Sequence, residues 1–233
     1  MIRKLARTAF GVFGALVLGG IFAAGTAQAT TSDYSFTGTF GHDSDVQLFN
    51  FTVGSQSQVI LRTWSYAGGV NAAGDTIARG GFDPILALFD GTGKYIDQND
   101  DGGCSYVAAD ALTGACWDTY FSALLDPGNY TVAVMEYNNF ANGPYLSNGF
   151  ARQGDGNFTS GWSNCGATSF CDVSNRGAAS ARGNFWAFDI LNVDAATQQP
   201  PITSVPEPAP LGLLGFGVLL CGWLAWRRRH FAG

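Results

Sequence analysis

An all-β body, an antiparallel sandwich of the jelly-roll kind, is predicted by three observations. Period-two alternation of apolar and polar residues recurs along residues 30–197. Clusters of Gly, Asn, Asp and Pro separate the alternating runs, and no stretch shows a helical stripe. In chain order, Gln47, Phe49, Phe51 and Val53 share one face of the first clear run, with Val46 and Leu48 on the other. Val59, Leu61 and Thr63 then alternate with Ile60, Arg62 and Trp64. Pro84 leads into ILALF (85–89), an apolar run that fits a buried strand. Asp90-Gly91-Thr92-Gly93 predicts a hairpin from there into KYID. Asp126-Pro127-Gly128-Asn129 predicts a turn that feeds YTVAV. Near the end, Trp186, Phe188 and Ile190 alternate with Ala187, Asp189 and Leu191. About eight strands result. Residues 138–184 are rich in Gly, Asn and Ser with little periodicity, and are expected to form a long insertion.

A hydrophobic segment flanks the body at each end. Arg3, Lys4 and Arg7, the apolar run from Thr8 to Ala24 and the small-x-small Ala27-Gln28-Ala29 predict a signal peptide over 1–29, with Thr30 as the mature start. Gln198 to Ser204 is expected to be a linker. Residues 210–226 are uncharged and, as a helix, span roughly 26 Å, enough for a single transmembrane helix. Arg227, Arg228 and Arg229 follow at once and place the C-terminus on the cytoplasmic side, so the body faces out. Residues 30–204 hold seventeen acidic residues against six basic ones. Such a field excludes nucleic acid as a partner and favours cations.

Val205-Pro206-Glu207-Pro208, the apolar span and Arg227 to Arg229 follow one another without a spacer. Two prolines keep the acidic motif extended and exposed to a reader in the membrane. In order and spacing these parts resemble the PEP-CTERM sorting signal of Gram-negative bacteria. The resemblance implies processing by an exosortase, a membrane cysteine enzyme. It also implies release or transfer to the cell surface or matrix, and association with exopolysaccharide. The phrases GFDPILALFDGTGKYIDQNDDGG (81–103) and LDPGNYTVAV (125–134) resemble the bacterial pre-peptidase C-terminal type of β-sandwich, with DSDVQLFNFTV (43–53) and VILRTWS (59–65) as its opening strands.

Candidate chemistry is narrow. Cys104, Cys116, Cys165 and Cys171 allow three pairings, and the two short loops favour Cys104–Cys116 and Cys165–Cys171, in keeping with export. Asp97, Asn99 and Asp101, followed by Gly102, place oxygen side chains at the spacing of the first half of an EF-hand loop. Ala108 stands where the closing Glu belongs, so the loop is no EF-hand, yet the three oxygens are expected to hold Ca²⁺. Such a cation would also relieve repulsion involving Asp100, and Asp110 is a further candidate ligand. The body's lone His42 sits in a turn-like Gly-His-Asp, and no nucleophile elbow or paired-His motif occurs. The expected class is therefore a noncatalytic surface protein, calcium-stabilised, with exposed aromatics such as Trp117 or Trp162 available to polysaccharide. The competing class is a cell-surface hydrolase, which requires two facing carboxylates in a cleft.

Overall fold

A computed structural model of the chain describes residues 31–173 and 181–202. The signal peptide, the mature start at Thr30 and the sorting segment 205–229 with its span lie outside the described residues. Among the described residues no helix is long and apolar enough to cross a membrane.

The body is all-β. Its strands are β1 (Ser32–Thr39), β2 (Val46–Val53), β3 (Ser57–Thr63), β4 (Gly69–Val70), β5 (Thr76–Ile77), β6 (Pro84–Asp90), β7 (Tyr95–Asn99), β8 (Tyr120–Leu125), β9 (Gly128–Glu136), β10 (Phe185–Val193) and β11 (Ala195–Gln198). One sheet has the order β1-β10-β3-β8, and the other β11-β2-β9-β6-β7. The pairings within both sheets are antiparallel. Setting aside β11 and the two-residue β4–β5 ribbon, the chain changes sheet at every step except the β6–β7 hairpin, as in a jelly roll.

The alternation seen in the sequence decides which residues meet. Phe49, Phe51 and Val53 of β2 join Val59 and Leu61 of β3, Leu86 and Leu88 of β6, and Trp186, Phe188 and Ile190 of β10 in the space between the sheets. Each such side chain contributes about 1.5–3 kcal/mol when fully buried. Near Val46, Ile85 and Met135 the opposite faces of β2, β6 and β9 are buried too, whereas Asn50 and Asn129 farther along them are exposed. Val46, Ile85, Ala87, Phe89, Ala133 and Met135 form a second apolar cluster, closed by Phe150 with Phe140 and Leu146 packed against it. The Gly- and Asn-rich insertion therefore acts as a cover on the five-stranded sheet. This is why ILALF is buried along its whole length. The cover also ties the β7 edge, through Tyr95 N–H to the Pro144 carbonyl at 2.8 Å.

The two turns form as predicted. In the β6–β7 hairpin the Asp90 carboxylate accepts from Thr92 N–H, Thr92 Oγ1 and Lys94 N–H, while Gly93 takes the positive φ of 80° that the turn requires. At the second, the chain crosses from β8 to β9 and Tyr130 Oη donates to the Asp126 carbonyl at 2.7 Å. The segment expected as a linker is instead held along β2 as far as Ile202. Gln199 N–H reaches the Leu48 carbonyl, and Ile202 exchanges two backbone bonds with Val46. Burying Ile202 on the second cluster favours this over a solvated linker.

Candidate metal centre

Three strand ends converge at one end of the five-stranded sheet. The register Leu86↔Asn99 carries Asp83, just before β6, to the level where the chain leaves β7. The register Pro84↔Glu136 places the last residue of β9 beside it. Thr119 closes the group from the other sheet, donating to both the Pro84 and Asp100 carbonyls. One carboxylate oxygen each from Asp83, Asp100 and Asp101 lie within 4.8 Å of one another. Asp83 is buried, Asp100 half-buried and Asp101 exposed, so the cluster opens to solvent on the Asp101 side.

Hydrogen bonding separates this group from Asp43, Asp110, Asp118 and Asp189. Asp43 accepts from Phe158 N–H, Thr159 N–H and Thr159 Oγ1. Asp118 accepts from Thr63 Oγ1, Tyr66 N–H and Ala67 N–H. Asp189 is held by Ser35, Trp64 and Ala72. Asp110 takes both arms of Arg79 and the Thr113 N–H. In contrast, Asp83 Oδ1, Asp100 Oδ1, Asn99 Oδ1 and both oxygens of Glu136 are buried without a partner. An unpaired buried carboxylate is among the costliest groups a fold can hold.

The charge balance deepens the deficit. Arg182 is the one buried basic side chain among the described residues. Its Nε and Nη2 are committed to the Gly81 and Tyr66 carbonyls. Burial, then Asp101 and Asp100, push the Asp83 carboxyl well above its ordinary range. Burial, then Asp83 and Asp43, do the same to Glu136. Asp100 is pushed up to about 6, by burial and then Asp101, and burial also raises Asp101. A divalent cation among Asp83, Asp100 and Asp101 would oppose these shifts by favouring the charged carboxylates. Ligand oxygens on one calcium at 2.3–2.6 Å lie at most roughly 5 Å apart, which this cluster satisfies.

The residues predicted from the EF-hand-like spacing are redistributed. Asp101 belongs to the cluster, whereas Asp97 does not: it is exposed on β7, opposite Leu88, with Oδ1 accepting from Gln98 N–H. Asn99 ends β7 with its orphaned oxygen next to the cluster in sequence. In a strand, residues two apart are roughly 6.6 Å apart, so the i, i+2, i+4 pattern spreads its oxygens instead of gathering them. Asp110 lies elsewhere, engaged with Arg79. Asp83 and Glu136 were missed. Glu136 did carry a signal, as the only Glu of the body, at the end of an apolar strand.

Both disulfides form as predicted, Cys104–Cys116 with Cα atoms 5.1 Å apart and Cys165–Cys171 with 5.7 Å. The first closes the loop that Asp100 and Asp101 enter. Replacing Cys104 and Cys116 together by Ser is expected to cost about 3 kcal/mol by loop-closure entropy. Denaturant titration of the variant beside the oxidised protein checks this, and coincident midpoints would refute it. Trp117 is half-buried, its ring 5.2 Å from that of Tyr66. Trp162 is half-buried against Tyr137 and Phe158, at 6.2 and 5.9 Å. His42 is exposed beside Asp45, whose carboxylate is engaged by the Gly41 and His42 N–H groups.

No curated protein matches the chain at a significant level. Residues 204–229 match the PEP-CTERM protein-sorting motif, so the chain carries the signal of an exported protein that is membrane-anchored before processing and sorted by exosortase to the cell surface.

Proposed function

We propose that this chain is a noncatalytic surface protein, a sandwich of the pre-peptidase C-terminal type, in which a calcium ion closes one end of the fold. After exosortase processing it resides in an exopolysaccharide-containing matrix outside a Gram-negative cell. The observation that carries the proposal is the set of buried carboxylate oxygens without a hydrogen-bond partner, Asp83 Oδ1, Asp100 Oδ1 and both of Glu136, beside Asp101. Asp83, Asp100 and Asp101 would ligate the ion directly, and Glu136 would compensate its charge from behind. Calcium supplies binding energy to the folded state alone, so it acts as a structural clamp where calcium is abundant, outside the cell. The geometry favours this over a hydrolase. Glu136 is fully buried with both oxygens sealed, so it cannot meet a glycosidic oxygen as a general acid must.

Calorimetric titration of the full chain with Ca²⁺ tests the reading. Saturable binding, with a melting temperature that rises in calcium and falls in chelator, supports it. No heat and no shift would sink it. Magnesium is expected to do less, because it dehydrates reluctantly and demands a stricter octahedron.

Sorting has its own test. Surface protein from the native host is expected to begin at Thr30 and to lack residues 210–226. Glu207→Ala is expected to leave the C-terminus uncleaved and the protein in the membrane. Mass spectrometry of the surface and membrane fractions reads both, and unchanged processing would show that the motif is not read through its carboxylate.

A further inference from the structure

The chain leaves the acidic cluster through Tyr137, and Tyr137 also forms a wall of a surface cavity. Its N–H bonds the Asp83 carbonyl at 2.8 Å, and it directly follows Glu136. The cavity is a wide-open recess of about 340 Å³ lined by Tyr137, Asn138, Trp162, Ser163, Asn164 and Val173. That volume lies at the small end of ligand sites. The Tyr137 and Trp162 rings meet at 72° with centroids 6.2 Å apart, so they form a corner with a floor and a wall. Phe158 stands edge-on behind Trp162, and Arg152 packs on Phe158 from outside, which holds the indole in place. Asn138 takes a positive φ of 75° at this turn, and its Oδ1 accepts from Arg152 Nε at 2.9 Å. The wall is thus built rather than incidental.

The two halves of this end differ in chemistry. The corner is aromatic, suited to the C–H face of a ring that carries no charge. The adjoining cluster is hard and oxygen-rich. A calcium held there by three carboxylates has fewer protein ligands than the six to eight oxygens it takes. Its remaining positions face outward on the Asp101 side, where a ligand's hydroxyls can replace water. The strongly acidic body disfavours a polyanion at the same place.

We propose that the Tyr137–Trp162 corner and the cation beside it form one seat for a neutral pyranose, stacked on the aromatic corner and held to the ion through two vicinal hydroxyls. This rests on the calcium reading above and adds to it a ligand class and a location. The sugar is a unit of a neutral polysaccharide, and the ion both clamps the fold and bridges to the glycan.

The test titrates the full chain, in a detergent without sugar head groups, at saturating calcium. The probes are methyl α-mannopyranoside, methyl β-galactopyranoside and methyl β-glucopyranoside, followed by calorimetry. Saturable binding of at least one glycoside is expected, lost in EGTA. It is expected to weaken about tenfold or more in Trp162→Ala. Ser163→Arg, at the exposed rim, is expected to block it without disturbing the packed rings. Calcium affinity should stay unchanged in both variants. Calcium binding with no glycoside binding overturns the seat and leaves the calcium reading standing. Glycoside binding that survives EGTA overturns the bridge, and binding that persists in both variants overturns the location. Absence of calcium binding overturns both readings together.

Discussion

Asp83→Asn is expected to leave the protein unresponsive to calcium and, in chelator, more stable than the unmodified chain. Burial and the neighbouring carboxylates raise the folded-state pKa of Asp83. A carboxyl raised on folding weakens the fold as pH climbs past its unfolded value, so at neutral pH its ionisation works against folding. Asn has the same shape and no charge, which removes that cost. In calcium the order reverses. At a hundredfold excess over Kd, the ion adds about 2.7 kcal/mol to the unmodified protein, roughly 5–11 °C in melting temperature for a chain of this size. The variant gains none of it. Melting curves of both proteins with and without calcium therefore cross, and parallel curves would refute the assignment. Asp97→Asn supplies the control. Asp97 is exposed and outside the cluster, so its calcium response is expected to match that of the unmodified chain.

The second large effect lies in the core. Trp186 is 2% exposed, with its ring 5.6 Å from Phe49 at 85° and 6.3 Å from Phe40. Trp186→Ala is expected to cost about 3–5 kcal/mol. The indole lies across the backbone of its cross-strand partner Gly38, so close that a Cβ there would sit 2.3 Å from Cζ2. Gly38→Ala is therefore expected to cost about 2 kcal/mol by forcing the ring aside. In the Trp186→Ala background the same change meets open space and is expected to cost almost nothing. A double-mutant cycle by denaturant unfolding measures the difference, and a coupling below about 0.5 kcal/mol would show that the two positions are independent.

The indole Nε1 is buried without a partner, so the Trp contributes through shape and area and not through a hydrogen bond. Trp186→Phe is correspondingly expected to be the mildest change at this position.

Much of the body was legible because the deciding forces are local. Alternation in 46–53 placed Phe49, Phe51 and Val53 together in the core, and Val46 and Leu48 on the other cluster. Asp90 to Gly93 named its hairpin through an Asx bond and a glycine, both within four residues. The two disulfides followed from short loops in an exported chain. Strands at sheet edges were harder to read. β1 packs only part of one face, so the alternation in Ser32–Thr39 is faint. The role of the insertion was not legible either, because Phe140, Leu146 and Phe150 are too far apart in sequence to show a period.

The sorting motif, the all-β class, the turns and the cysteine pairs were legible in the sequence alone, since each is written in neighbouring residues. The acidic cluster was legible only in the tertiary structure. Asp97, Asn99 and Asp101 looked convergent on paper, but Asp97 lies within the extended β7, which ends at Asn99, and is held away from Asp101. Asp83, Asp100, Asp101 and Glu136 come together through the register of β6 with β7 and β9, pairings between segments up to about fifty residues apart. A single-residue slip in either pairing would turn one carboxylate to the opposite face of the sheet. Burial then decides the chemistry, because the same carboxylates in water would be ordinary solvated charges, while beneath Thr119 the buried oxygens of Asp83, Asp100 and Glu136 are left without hydrogen-bond partners.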